Sequence, residues 1–161
     1  MSLFQRLAPS EKLSDAEVES GLRWMLRDGV CSHSMETLAL GPILVAYALY
    51  FDIRAPVVLR MPRFENPYLD PGTYVYAGSA YGPGGIRARV TRHLREDKAP
   101  HWNVDHLSAQ VRCSRVETYP KGRECDLIAD LLANGADIPI PGFGNSDCRA
   151  CVSHLVRLAG G

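Results

Sequence analysis

Between Thr73 and Arg95 the chain changes its period. Thr73 to Ala77 reads as an extended segment whose alternation puts Tyr74 and Tyr76 on one face. A glycine-dense stretch follows, Gly78-Ser-Ala-Tyr-Gly-Pro-Gly-Gly85, and then Ile86, Val90 and Leu94 recur at helical spacing up to Arg95. A strand, a glycine loop and a helix in that order require a domain that packs helix against sheet.

The flanking segments extend the same pattern. Ile43 to Ile53 is rich in β-formers, and Ala55 to Met61 is a second short apolar run across Arg54. Asn66-Pro67 and Asp70-Pro71-Gly72 carry turn chemistry. Val104 to Leu107 and Arg112 to Thr118 read either as two strands or as a helix followed by a strand. Arg123 to Ala133 is the clearest helix, with Leu127, Ile128, Leu131 and Leu132 as its apolar stripe and Asn134-Gly135 as its stop. Pro139 to Gly144 reads as a loop, and Cys151 to Leu158 as a short closing helix or strand. The expected fold class is therefore α+β, a small mixed or antiparallel central sheet flanked by helices over residues 45–161.

Residues 1–44 are expected to form an N-terminal helical appendage. Ser14 can cap a helix with Glu17 three residues on, Val18, Leu22, Met25 and Leu26 follow at helical spacing, and Asp28-Gly29 ends it. Met35 to Leu40 suggests a second short helix, closed by Gly41-Pro42.

Composition narrows the partners. The 161 residues carry no formal net charge, so the chain is not a general polycation, and any nucleic-acid surface must be local. Arg54, Arg60, Arg63, Arg87, Arg89, Arg92 and Arg95 stand against only Glu65 and Asp70, which fits a basic working face or simply a solvated one. Thr37 to Phe51 lacks charge, but its length of about fifteen residues falls short of the roughly twenty needed to cross a bilayer. A membrane partner is thus not expected, and the stretch reads as a buried element. Five cysteines behind an N-terminus without a signal-type apolar core point to a reducing, cytoplasmic setting.

The chemistry concentrates around the strand–loop–helix unit. Arg89 and His93 lie four residues apart and share a helical face, with Arg92 bordering it. A tyrosine hydroxyl, a guanidinium and an imidazole converging on glycines suit an anionic, phosphorylated ligand, since Arg grips phosphate oxygens in bidentate fashion. Each residue also has a plainer reading. Tyr76 would pack in the core, Arg89 would pair with an acid such as Glu96, and His101 would serve packing or a turn. Trp102 would close a core rather than stack on a base, the former being the commoner use.

Tyr76-Ala77-Gly78-Ser79-Ala80 followed by Arg89-x-x-x-His93 resembles the second half of the GIY-YIG nuclease signature. Further ordered blocks point to one compact branch of that superfamily: Gly84-Gly85-Ile86, Arg92-His93-Leu94, His101-Trp102-x-Val104-Asp105-x-Leu107, Glu124-Cys125, Gly142-Phe143-Gly144-x-Ser146-Asp147-Cys148 and Ser153-His154-Leu155. The resemblance covers residues 46 to 158. It implies a metal-dependent endonuclease that hydrolyses DNA phosphodiesters in DNA repair or processing, without a small-molecule cofactor. It casts Arg89 as the essential helix arginine and Glu124 as the ligand of Mg2+ or Mn2+. Tyr47 or Tyr76 would handle the attacking water, with His93 or His101 assisting, and Gly78, Ser79, Arg92 and Trp102 would contact substrate. Glu124 would otherwise serve as a first-turn acid on the helix dipole. Val45-Ala46-Tyr47 stands where Gly-Ile-Tyr would, without the glycine. Asn103 replaces a histidine common between the tryptophan and the Val-Asp pair. The altered first motif keeps open a catalytically impaired nucleic-acid-binding module of the same fold.

The cysteines raise a separate question. Cys148-x-x-Cys151-x-x-His154, with Cys125 from the helix, supplies four residues of the type that hold structural Zn2+; idle or buried thiols are the alternative. Cys31 and Cys113 have no evident partner.

Overall fold

The computed structural model describes residues 45–80, 85–95, 97–120 and 122–160. The N-terminal helices expected within residues 1–44, and Glu96, lie outside the described residues.

In chain order the elements are β1 (Val45–Ile53), β2 (Val57–Val58), a 3-10 turn (Pro62–Phe64), β3 (Tyr68–Leu69) and β4 (Gly72–Ala80). They continue with α1 (Gly85–Leu94), α2 (Asn103–Ser108), β5 (Cys113–Pro120), α3 (Glu124–Ala133) and β6 (Leu155–Arg157). Four strands form one sheet in the order β5-β1-β4-β6, and every pairing in it is antiparallel. The fold is thus α+β, with an antiparallel sheet and three helices among the described residues. β2 and β3 form a separate small hairpin.

β1 is central, and both of its faces are covered. That explains why Ala46 to Phe51 reads as an unbroken uncharged run, the pattern of a strand buried on two sides. No helix among the described residues is long and apolar enough to cross a membrane. On one face Tyr47, Leu49, Phe51, Tyr74 and Tyr76 pack with Ile86 and Val90 of α1, Val104 and Leu107 of α2, and Phe143. On the other, Ala46, Ala48, Tyr50, Val75 and Ala77 meet Leu127 and Ile128 of α3.

Two local expectations change. β4 does not stop at Ala77 but continues to Ala80, so Gly78 and Ser79 are strand residues and not part of a loop. The reason is tertiary: β1 offers backbone partners along the whole length, from Ile53 opposite Gly72 to Val45 opposite Ala80, and the ladder overrides glycine's weak strand preference. The segments over 104–107 and 112–118 resolve as a helix followed by a strand, and the closing segment as strand β6.

Candidate active site and metal centre

Tyr47 sits opposite Gly78 in the β1–β4 ladder, so both belong to the α1–α2 face. A Cβ on Gly78 would lie 2.5 Å from the Tyr47 ring carbon Cζ and its hydroxyl. Glycine therefore matters here for space: the phenol lies across the bare backbone. Ser79, one residue on, pairs with Ala46 and points to the opposite face. The two neighbours expected together at the substrate are separated by the sheet.

The phenol of Tyr47 reaches His93 Nε2 at 2.9 Å, and His93 Nδ1 reaches Asp105 Oδ1 at 2.8 Å. Both ends of the imidazole are buried with it: Tyr47, His93 and Asp105 are each at most 1% exposed. The other oxygen of Asp105, Oδ2, accepts the backbone N–H groups of His101 and Trp102 at 2.9 and 3.0 Å. This follows from position, because Asp105 is the third residue of α2 and reaches back over the helix start as a capping acid does. Burial alone would push its carboxyl up. The hydrogen bonds from His93, Trp102 and His101 outweigh that and hold it at about 2. Burial pushes His93 down, against the pull of Asp105, so the ring rests neutral near pH 7.

These directions fix the proton inventory. An ionised Asp105 only accepts, so His93 Nδ1–H donates to it; a neutral ring then offers Nε2 as the acceptor of the Tyr47 O–H. The result is a buried Asp–His–Tyr relay. Burial, reinforced by the neighbouring Tyr76, raises Tyr47 well above its ordinary value of 10, and burial pushes Tyr76 up to about 12. Both phenols rest protonated.

Around the relay stand aromatic and cationic groups. Tyr76 meets the edge of His93 at 6.3 Å and Phe143 at 6.2 Å. Trp102 packs against His93 at 5.3 Å and carries the guanidinium groups of Arg89 and Arg92 over its ring at 4.6 and 4.9 Å. Partly buried against the main core, it acts here as a core-closing platform for two cations. Arg92 also approaches Asp105 Oδ2 at 3.9 Å. Arg89, half-buried, has no ion pair or hydrogen bond to any described residue. The ring of His101 is exposed and stands edge-on to Trp102 at 4.5 Å, and it is the backbone of His101 that serves the relay.

The body of α3 lies on the other face, yet its first residue turns up at the site. β5 ends at Pro120 opposite Val45, so α3 starts at the end of the sheet where Tyr47 and Gly78 sit. The half-buried Glu124 carboxylate lies near enough for its charge, like that of Arg89, to act on both Tyr47 and Tyr76. It too lacks an ion pair or hydrogen bond to any described residue.

Beside Glu124 lies a second cluster. The Sγ atoms of Cys125, Cys148 and Cys151 and a ring nitrogen of His154 all fall within 4.8 Å of one another, an arrangement that could hold a metal ion. Cys125 Sγ and Cys148 Sγ are 3.4 Å apart. His154 Nε2 is buried and unpartnered among the described residues, while the Gly144 backbone is the ring's hydrogen-bonding neighbour. The Cys151 N–H reaches Cys148 Sγ at 3.3 Å, which favours the thiolate. Cys113, by contrast, is a buried core thiol pushed up to about 12 by burial.

Asp105 carried no role in the sequence reading beyond its place in a recurring block. Its position three residues after Trp102, at a helix start, was the signal; its partner on another helix was not visible. Glu117 is a second such residue, a buried carboxylate accepting the hydroxyls of Tyr50 and Tyr119 on the α3 face.

Fold and site together define a small α+β domain that joins a buried Asp–His–Tyr relay to a three-cysteine, one-histidine cluster. Residues 46–160 match the family model described as Domain of unknown function DUF123, and the chain belongs to that family. No curated protein and no solved structure matches the chain.

Proposed function

We propose that this chain is a GIY-YIG-type endonuclease that hydrolyses DNA phosphodiester bonds with the help of a divalent cation, in DNA repair or processing. One observation carries the reading: Arg89 and Glu124, neither with an ion pair or hydrogen bond to any described residue, both act on the same two buried phenols. Opposite charges free of ion pairs beside buried titratable groups are open to a ligand that brings both counter-charges. A phosphodiester offers oxygens to Arg89, and a hard cation offers charge to Glu124.

A single carboxylate suits Mg2+ or Mn2+, which bind through one or two carboxylates and complete their shells with water and phosphate oxygens. Bound at Glu124, the cation would supply Lewis-acid stabilisation of the leaving oxygen. The chain's own groups do the rest. Tyr47 accepts a proton from the attacking water while passing its own to His93 Nε2, and the Asp105 carboxylate stabilises the imidazolium that forms. The new P–O bond forms as the bond to the leaving oxygen breaks. Arg89 neutralises charge growing on the phosphoryl oxygens, and the Trp102 ring beneath it holds that guanidinium in place. Tyr76 lines the site beside His93 and positions the phosphate.

The four-residue cluster is read as a structural zinc site. Tetrahedral zinc with Zn–S bonds of about 2.3 Å spaces its sulfurs roughly 3.8 Å apart; the observed 3.4 Å between Cys125 and Cys148 is close to this. A histidine with one ring nitrogen buried and unpartnered and the other turned to a backbone carbonyl has the form of a zinc ligand.

The test is nicking of supercoiled plasmid with Mg2+ or Mn2+. Arg89→Ala and Glu124→Ala are each expected to slow it by about 10²- to 10³-fold, the usual cost of one preorganised electrostatic group. Variants that cut like the parent would remove the proposal. Salt-sensitive DNA binding with no cleavage would point to a binding module instead.

A further inference from the structure

We infer that the Cys125–Cys148–Cys151–His154 centre, loaded with zinc, is the clip that sets where Glu124 stands relative to Tyr76, so that zinc occupancy controls how tightly the pocket holds its catalytic cation. This rests on the nuclease reading of Glu124.

The four ligands come from two independent parts of the fold. Cys125 is the second residue of α3, directly after Glu124. The other three lie on the segment leading into β6, which is fastened to the strand bearing Tyr76. The Ala77 N–H donates to the His154 carbonyl at 2.9 Å, and the His154 N–H donates to that of Phe143 at 2.8 Å. Gly144 is wedged between the two sites: a Cβ there would stand 2.7 Å from Tyr76 Cε2 and 3.3 Å from His154 Cβ. The Asn145 amide ties the segment to itself through the carbonyls of Cys151 and Val152. Tyr76 and three metal ligands therefore move as one unit, while Glu124 and Cys125 move with the first turn of α3.

The buried residues of α3 are Leu127 and Ile128, both on the opposite face of the sheet, and Arg123 at the N-cap makes no side-chain cap. The Glu124 carboxylate has no hydrogen bond or ion pair to any described residue, so it does not anchor itself. A metal joining Cys125 to Cys148, Cys151 and His154 would span the two units next to the carboxylate. It would act as a positioning device, outside the reaction itself.

The experiment measures Mn2+ affinity by electron paramagnetic resonance in three forms of the full chain: loaded with one equivalent of zinc, stripped by a thiol-competitive chelator, and carrying Cys148→Ser. That substitution removes a ligand without touching α3. Loss of zinc is expected to weaken Mn2+ about tenfold, the scale of an outer-shell defect at a metal site. The nitrogen chemical shifts of His93 should hold, because the relay is built from β1, α1 and α2. Nicking should fall in parallel and recover at high Mn2+. Equal Mn2+ affinity with and without zinc, or a parent that takes up no zinc, would overturn the inference. Should the zinc-free forms unfold, cadmium replacement keeps the site filled with a larger ion, and an unchanged Mn2+ affinity would then refute it. If zinc loss alters Mn2+ binding but the loaded parent never cuts DNA, the clip stands and the nuclease reading falls.

Discussion

Replacing Asp105 with Asn tests the relay at its buried end. The side chain keeps its shape, and the backbone N–H groups of His101 and Trp102, 2.9 and 3.0 Å from Oδ2, still demand an acceptor there. The amide must turn its oxygen to them and its NH2 to His93 Nδ1. That nitrogen then becomes an acceptor, the ring proton moves to Nε2, and Tyr47 faces a donor where it had a base. Two losses combine. The imidazolium formed during reaction loses a partner carboxylate, worth about 4 kcal/mol for charges about 4 Å apart at an effective dielectric of roughly 20. That is close to a thousandfold in rate. The wrong tautomer adds to this, and in the serine-protease triad the same exchange costs about 10⁴-fold. Asp105→Asn is therefore expected to cut the nicking rate by about 10³- to 10⁴-fold at saturating Mn2+ with KM little changed. Nitrogen NMR should show the His93 proton moving from Nδ1 to Nε2. A variant within tenfold of the parent, or a parent already protonated at Nε2, would refute the relay. The NMR readout decides even if the reaction assigned to the chain is wrong.

Two further outcomes follow from packing and titration. Gly78→Ala places a methyl 2.5 Å from the Tyr47 ring and should lower stability by about 1–3 kcal/mol in urea titration, with nicking lost as the phenol is displaced from His93. Asp105, held at about 2 against an ordinary 3.8, contributes about 2 kcal/mol that is present above pH 4 and lost as pH falls toward 2. His93, depressed by burial, contributes stability that is complete above its unfolded value of 6.5 and lost as pH falls below it. Urea midpoints across this range should thus drop in two stages, with the lower stage absent in Asp105→Asn.

The parts legible in the sequence are those governed by local period. Ile86, Val90 and Leu94 marked α1, Leu127 and Ile128 marked α3, and the spacing of Cys148, Cys151 and His154 marked three metal-type side chains that do converge with Cys125. What escaped was set by partners distant in sequence. Gly78 and Ser79 looked like loop because glycine and serine disfavour strands, and only the β1 ladder holds them extended. Asp105 stood only inside a motif block because nothing in a linear pattern tells which helix packs on which; its meaning appears once α1 brings His93 to 2.8 Å. Glu117 gave no signal, since a strand glutamate is ordinarily solvated and this one is buried by two tyrosines on different strands.

The site's location has a topological cause. Helices on opposite faces of a sheet are separated by its thickness and can share a pocket only where strands run out. Here β1 begins at Val45 opposite both Ala80 and Pro120, so three strands end together. His93 and Arg89 arrive from one face by way of α1, and Glu124 arrives from the other because α3 starts four residues beyond Pro120. The acids farther along α3, Asp126 and Asp130, are exposed. Asp130, six residues on, is carried about 9 Å along the axis, away from this edge. Only a residue in the first turn can face the tyrosines from that side. The same geometry obliges Cys125 to stand beside Glu124 at the rim, within reach of the segment returning to β6. The pocket and the metal-type cluster are therefore neighbours because both need the one edge at which the two faces of the sheet communicate.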